Sequence, residues 1–263
     1  MMEMRVWLAD AVSTGLTVER MLSMATPSAA FHSALSDSAR LSREQAVQLI
    51  AAETACIDHP KIIESFEEIG RAGLVVAGDI DGEPTLQILR ATYEEGRLTE
   101  LASFVQGMRP FTLLRDKVKA TVHDLPAGTW AVPDLAEDTG EARTADMTFP
   151  HDPELSFLSP VLRRAAAPQS EADKVLTLAS SIYGMRHWAD SGLAQGDKRL
   201  AFFQVDVSGR PLTIANLLTF VDDRVVQIRS CSRPWSAALA MYTRLESRYF
   251  DELGEEYFWP DQS

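Results

Sequence analysis

From Ala201 to Tyr249 the hydrophobic positions alternate at period two through three short runs and then change to the period of a helix. The first run, Ala201 to Val207, is aromatic and β-branched and stops at Ser208-Gly209, where glycine supplies a positive φ. Pro211 opens the second run, at a strand start where a missing N–H does little harm. Leu212, Ile214, Asn216, Leu218 and Phe220 share one face of it, and Thr213, Ala215, Leu217 and Thr219 the other. Asp222-Asp223 makes the next turn, and Val225 to Ser230 alternates again through Val226 and Ile228. Pro234 then stands in the first turn of a helix with the apolar stripe Trp235, Leu239, Tyr242, Leu245 and Tyr249. The pattern predicts a three-strand meander with a helix laid over one face.

A weaker copy of the stretch stands 127 positions earlier. Asp79, Gly82, Pro84, Thr92 and Arg97 fall where Asp206, Gly209, Pro211, Thr219 and Arg224 fall in the later copy. After a three-residue slip, Arg109-Pro110-Phe111 matches Arg233-Pro234-Trp235. The shared order of strands, turns and helix start predicts an internal duplication. The expected fold is α+β: two similar α-βββ-α units related by a pseudo-twofold, with antiparallel sheet covered by helices.

The rest of the chain is divided around these copies. Residues 1–40 read as an amphipathic helix over 4–24 (Met4, Trp7, Leu8, Ala11, Val12, Leu16, Leu22) followed by a Ser/Ala-rich connector. Residues 41–125 form the first unit. Within it Ser42 to Gln45 has the spacing of a capping box, and a further helix is expected to open at Pro60 and run through Ile62, Ile63, Phe66 and Ile69. Val118 to Val122 reads as an extra strand. Residues 126–168 are Pro-rich and acidic and read as a linker, with a possible strand around Trp130. Residues 169–263 form the second unit, in which Glu171 to Trp188 is read as a helix and Tyr257, Phe258 and Trp259 are expected to tuck against the core.

A net charge of −13 with no Lys/Arg cluster argues against nucleic acid, which needs a basic face, and against docking on anionic membranes. Two cysteines, Cys56 and Cys231, make no disulfide framework and suit a reducing, cytoplasmic setting. No stretch is long and apolar enough to be a membrane span, and oligomeric state is not legible.

Candidate chemistry is sparse. The chain has no G-x-G-x-x-G, no Walker loop, no G-x-S-x-G elbow and no H-E-x-x-H, and no paired Cys or His at zinc spacing, so neither cofactor nor metal is expected. Asp79-Ile80-Asp81-Gly82 opens like a calcium loop, but Glu83 and Pro84 break the pattern, which reads as a β-turn. His32, His59, His123, His151 and His187 are scattered. Glu64 and Glu68 would share a face if their segment were helical, where paired carboxylates can raise one pKa. Arg97, Arg224, Arg109 and Arg233 recur between the copies, and a pseudo-twofold could gather them at a cleft to bind a carboxylate or phosphate. The expected function is a non-catalytic protein-binding module of the chaperone, immunity or adaptor type. The alternative is a small-molecule binder or enzyme using those four arginines between the units.

Overall fold

The computed structural model describes residues 4–36, 41–130, 149–182 and 186–260. In chain order these form α1 (Met4–Thr14), α2 (Val18–Met24), β1 (Ala25–His32), α3 (Arg43–Ala55), β2 (Asp58–Glu68), β3 (Arg71–Ile80), β4 (Glu83–Glu94) and β5 (Arg97–Val105). There follow α4 (Met108–Thr121), β6 (His151–Leu158), α5 (Gln169–Ser180), β7 (Arg186–Gln195), β8 (Lys198–Asp206), β9 (Pro211–Val221), β10 (Arg224–Arg233) and α6 (Trp235–Leu253). The fold is mixed helix and sheet, with a large, mainly antiparallel sheet and six helices among the described residues.

The strand path is β2-β3-β4-β5-β10-β9-β8-β7, with β1 added parallel to β5 and β6 parallel to β10. Pairing in the two halves follows one register. Gln87↔Val105 through Glu94↔Arg97 in β4–β5 recurs 127 positions later as Ile214↔Ser232 through Val221↔Arg224 in β9–β10, with the irregularity at the same step. The β3–β4 pairs Arg71↔Thr92 to Asp79↔Pro84 recur in the same way as Lys198↔Thr219 to Asp206↔Pro211. The parallel strands agree too: Ala30↔Glu100 and Phe31↔Leu101 answer to Ser156↔Gln227 and Phe157↔Ile228. The halves are joined at one antiparallel bridge, Val105↔Ser232, two residues that hold the same place in their halves.

Several sequence expectations are corrected. Each half carries four antiparallel strands in place of three. The segment from Pro60 is strand β2, not a helix: a bulge between Ile62 and Glu64 puts Ile63 and Phe66, three apart as on a helix face, on one side of the strand and Ile62 on the other. Val118 to Val122 is not a strand: α4 runs to Thr121 and buries Phe111, Leu114 and Val118 at helical spacing. The Ser/Ala-rich connector contains β1, which pairs parallel with β5; it is half-exposed, and its small and polar residues around Pro27 carry little apolar pattern. The linker region contains β6; its residues 131–148 lie outside the described residues. The helix read from Glu171 to Trp188 ends at Ser180, and β7 begins at Arg186. The amphipathic stretch at 4–24 is two helices, divided at Gly15–Thr17, with Thr17 capping the second. The capping box at Ser42 forms with both of its hydrogen bonds, Gln45 N to Ser42 Oγ at 3.2 Å and Ser42 N to Gln45 Oε1 at 2.9 Å.

The sheet folds back on itself, so that β2 and β7, the two ends of the path, meet. Lys198 ion-pairs with Glu64, and Ala194 N donates to Glu68 Oε1 at 3.3 Å. Phe66, Val75, Ile88, Phe104, Leu193 and Phe202 fill the space enclosed, all of them buried. Gly73 is tightly faced there: a Cβ on it would lie 2.6 Å from Leu200 Cδ1 and 2.9 Å from Leu193 Cδ1. The outer faces are covered by helices: α1, α2, α3 and α4 pack over the first half, α5 and α6 over the second, and α4 meets α6 between them.

Candidate functional site

The four arginines are not gathered at a cleft. Arg97 Nη2 donates to the carbonyl of Ala25, the first residue of β1, at 2.7 Å. Arg224 donates to the carbonyl of His151, the first residue of β6, and stands 3.7 Å from Asp152. Both therefore tie a hairpin turn to the start of the parallel strand beside it. They lie eight residues before Val105 and Ser232 on strands running in opposite directions, so they sit at far ends of the sheet. Arg109 ion-pairs with Glu83 at 2.8 Å, and the Arg233 guanidinium lies 5.8 Å from the centre of the Phe104 ring. These two are not counterparts. α4 and α6 begin at Met108 and Trp235, still 127 positions apart, so the three-residue slip does not occur.

The shared contact of Arg97 and Arg224 makes a modest prediction. Arg97→Ala and Arg224→Ala are each expected to cost about 1 kcal/mol, the scale of one exposed hydrogen bond. Thermal unfolding should show two similar shifts of a few degrees.

Of the carboxylates of β2, Glu64 and Glu68 share a face of the strand but each has its own partner, Lys198 for Glu64 and Arg71 for Glu68. Because β2 is a strand, Glu67 faces away from Glu64 and Glu68. It lies 3.7 Å from Arg5 and accepts from Tyr93 Oη at 3.0 Å. Asp81 belongs to a hairpin turn and ion-pairs with Lys117. His151 Nδ1 stands 2.8 Å from Asp173 of α5, not beside Asp152, and His32 lies 3.7 Å from Glu100. Burial raises the pKa of both cysteine thiols, which makes them poor nucleophiles. Among the described residues no three His, Cys, Asp or Glu are placed to hold a metal ion, and no helix is long and apolar enough to cross a membrane.

Two features remain. The first is an open groove of about 490 Å³ on the outside of the first half, lined by Val12, Leu16, Val18, Ala51, Ala55 and Ile57 among others. It forms where the chain turns from α1 into α2 and leaves α3 with small residues on its outer side. Glu19 and Asp58, both exposed, are sequence neighbours of lining residues.

The second feature is a buried polar cluster beneath α3. Glu53 is wholly buried, and its Oε1 accepts from Ser33 Oγ and from Leu35 N at 3.2 Å. Gln87 Nε2 donates to Ser103 Oγ at 3.0 Å and Thr54 Oγ1 at 3.3 Å. Glu53 Oε2 and Gln87 Oε1 have no hydrogen-bond partner. Burial holds the Glu53 pKa above the ordinary carboxylate range, against the lowering effect of these hydrogen bonds. Sequence reasoning missed Glu53, although a signal was present: it continues the inward stripe Ala46, Leu49, Ile50 at helical spacing.

No family model matches the chain, and no curated protein matches it. Among solved structures, the chain is similar to a steroid delta-isomerase from Pseudomonas aeruginosa at 23% identity. That match covers 39% of this chain and 77% of the other, with a TM-score of 0.36. It is also similar to an uncharacterised bacterial protein with a cystatin-like fold from Silicibacter pomeroyi DSS-3, at 14% identity over 39% of this chain and 72% of the other, with a TM-score of 0.37. At scores this low, neither protein's properties carry over to this chain.

Proposed function

We propose that the chain is a protein-binding module that receives an amphipathic, basic-flanked segment of a partner in the groove between α1–α2, α3 and β2. The observation that carries this reading is the groove itself: apolar, open to solvent, and with exposed Glu19 and Asp58 next in sequence to its lining residues on a chain of net charge −13. The small-molecule alternative draws no comparable support, because its four arginines have separate local partners and the enclosed space between the halves is filled by aromatic and aliphatic side chains.

Ala55 gives a discriminating test. It is exposed on the outer side of α3, and glutamate is a good helix former, so Ala55→Glu should leave the fold intact. The probe is a labelled helical peptide of leucine on one face and lysine on the other, titrated into the full chain. Docking in the groove requires Ala55→Glu to weaken binding at least tenfold, about 1.4 kcal/mol. Simple attraction to an acidic protein would be strengthened by the added charge, and that result would overturn the reading.

The common register supports a second proposal, that residues 25–121 and 151–253 descend from one duplicated unit related by an internal twofold. A twofold axis makes equivalent residues meet, as Val105 and Ser232 do. The backbone contacts across the junction are reciprocal as well. Ala34 O accepts from Trp235 N at 2.8 Å, and Pro160 O accepts from Gly107 N at 2.9 Å. The donor in the second half is one residue late because Pro234, in the place of Gly107, has no N–H.

A further inference from the structure

The turns that follow β1 and β6 are built alike but are held differently. Ser33 Oγ accepts from Leu35 N at 3.0 Å, and Ser159 Oγ accepts from Val161 N at 3.4 Å. Each turn presents one carbonyl, Ala34 or Pro160, to the other half of the molecule. Only the first is also gripped by an acid. Glu53 reaches down from α3 to Ser33 and Leu35, and the matching position of α5, 126 residues on, is Ala179. We propose that Glu53 is carried as an uncharged carboxylic acid that latches the Ser33–Leu35 turn, and through Ala34 the contact with Trp235, and that this latch opens more readily where the opened Glu53 can give up its proton to water, while its counterpart at Pro160 is unaffected.

Burial favours the neutral form of Glu53, against hydrogen bonds that favour the ionised one. The groups that hydrogen-bond it are Ser33, Ser103 and the amides of Ala34 and Leu35, and none of them carries a charge. Oε2 is buried and no hydrogen bond reaches it, so nothing at that atom offsets the cost of a buried charge. The titratable groups on elements packed nearby are otherwise engaged. The Cys56 thiol, on the same helix end, is raised by burial; Lys117 of α4 pairs with Asp81; Asp58 acts on the same thiol; His32, just before the turn, lies beside Glu100; Arg115 of α4 pairs with Asp116 and covers Trp235. None of them neutralises Glu53.

The sign follows from the direction of the shift. The latched form keeps a proton that an opened, solvated Glu53 gives up above the ordinary carboxylate pKa of about 4.3. Opening should therefore become easier as pH rises, by up to tenfold per pH unit, until the folded carboxyl itself ionises. The two junction amides provide a built-in comparison in the intact chain. Hydrogen exchange of Trp235 N–H reports the Glu53 latch, and that of Gly107 N–H reports the Pro160 latch. Their ratio cancels most of the direct effect of pH on exchange.

From about pH 5 to about pH 8 the ratio of Trp235 to Gly107 exchange should climb steeply in the native protein and stay flat in Glu53→Gln, which keeps the shape without the proton. The native protein should also show the infrared carbonyl band of a buried carboxylic acid, and this measurement needs no variant. A flat ratio in the native protein, an equal climb in Glu53→Gln, or no acid band at neutral pH would each overturn the proposal.

Discussion

Phe104→Ala is expected to remove about 3–5 kcal/mol of stability, the usual cost of deleting a buried phenylalanine. Phe104 lies one residue before the bridge that joins the halves, with 1% of its surface exposed. Its ring centre is 5.7 Å from that of Phe202 on the opposite half, and the Arg233 guanidinium lies over it. Truncation therefore leaves a cavity bounded by both halves, neither of which can close it without shifting the other. In a chain of this size the loss corresponds to a fall in melting temperature of roughly 10 °C. Because the residue belongs to the shared core, thermal unfolding should remain a single transition, and two separated transitions would contradict the packing of one half against the other.

Gly78→Ala should also be strongly destabilising, by about 2–3 kcal/mol, although it adds only one methyl group. A Cβ there would fall on Ile57 Cγ2 and 2.7 Å from the Asp58 carbonyl oxygen, at the irregular start of β2. A backbone carbonyl cannot rotate away, so the edge strand itself has to move. Gly73→Ala is the control. Its clashes are with the ends of the Leu200 and Leu193 side chains, which can change rotamer, and a loss of about 1 kcal/mol is expected. Chemical denaturation of the two variants should rank them in that order.

Legibility in the sequence depended on how regular each element is. The β8–β9–β10 meander was readable because glycine and acidic turn pairs punctuate clean alternation, as at Ser208-Gly209 and Asp222-Asp223. β2 was misread because its pairing irregularities stretch the alternation into something near a helical period. β1 and β6 escaped because each is short, is added to one neighbouring strand, and carries few β-formers, with Pro27 and Pro153 near its start. The arginines show the limit of matching residues between copies. Arg97 and Arg224 do recur in equivalent places, but what they share is a structural contact with a strand start. Glu53 shows the opposite case, a residue present in one copy only and invisible to a search for recurrence. Its signal was a carboxylate on the apolar side of a helix.

The groove was not foreseen, because it is made by three segments that are distant in sequence: the α1–α2 corner, the outer side of α3 and the start of β2. The acidity was legible in the sequence, and the groove is the surface on which, under the proposed function, it would select a partner. Specificity would come from apolar side chains seated in the groove, with the charge guiding approach.

The most direct measurement places a photo-cross-linking amino acid at position 55 of the full chain in its native host and identifies what is captured there. The expected result is one protein joined through an amphipathic segment with lysine or arginine beside its apolar face, and its capture abolished by Ala51→Glu in the same groove. Capture of many unrelated proteins, or one partner whose capture survives Ala51→Glu, would contradict the proposed docking site.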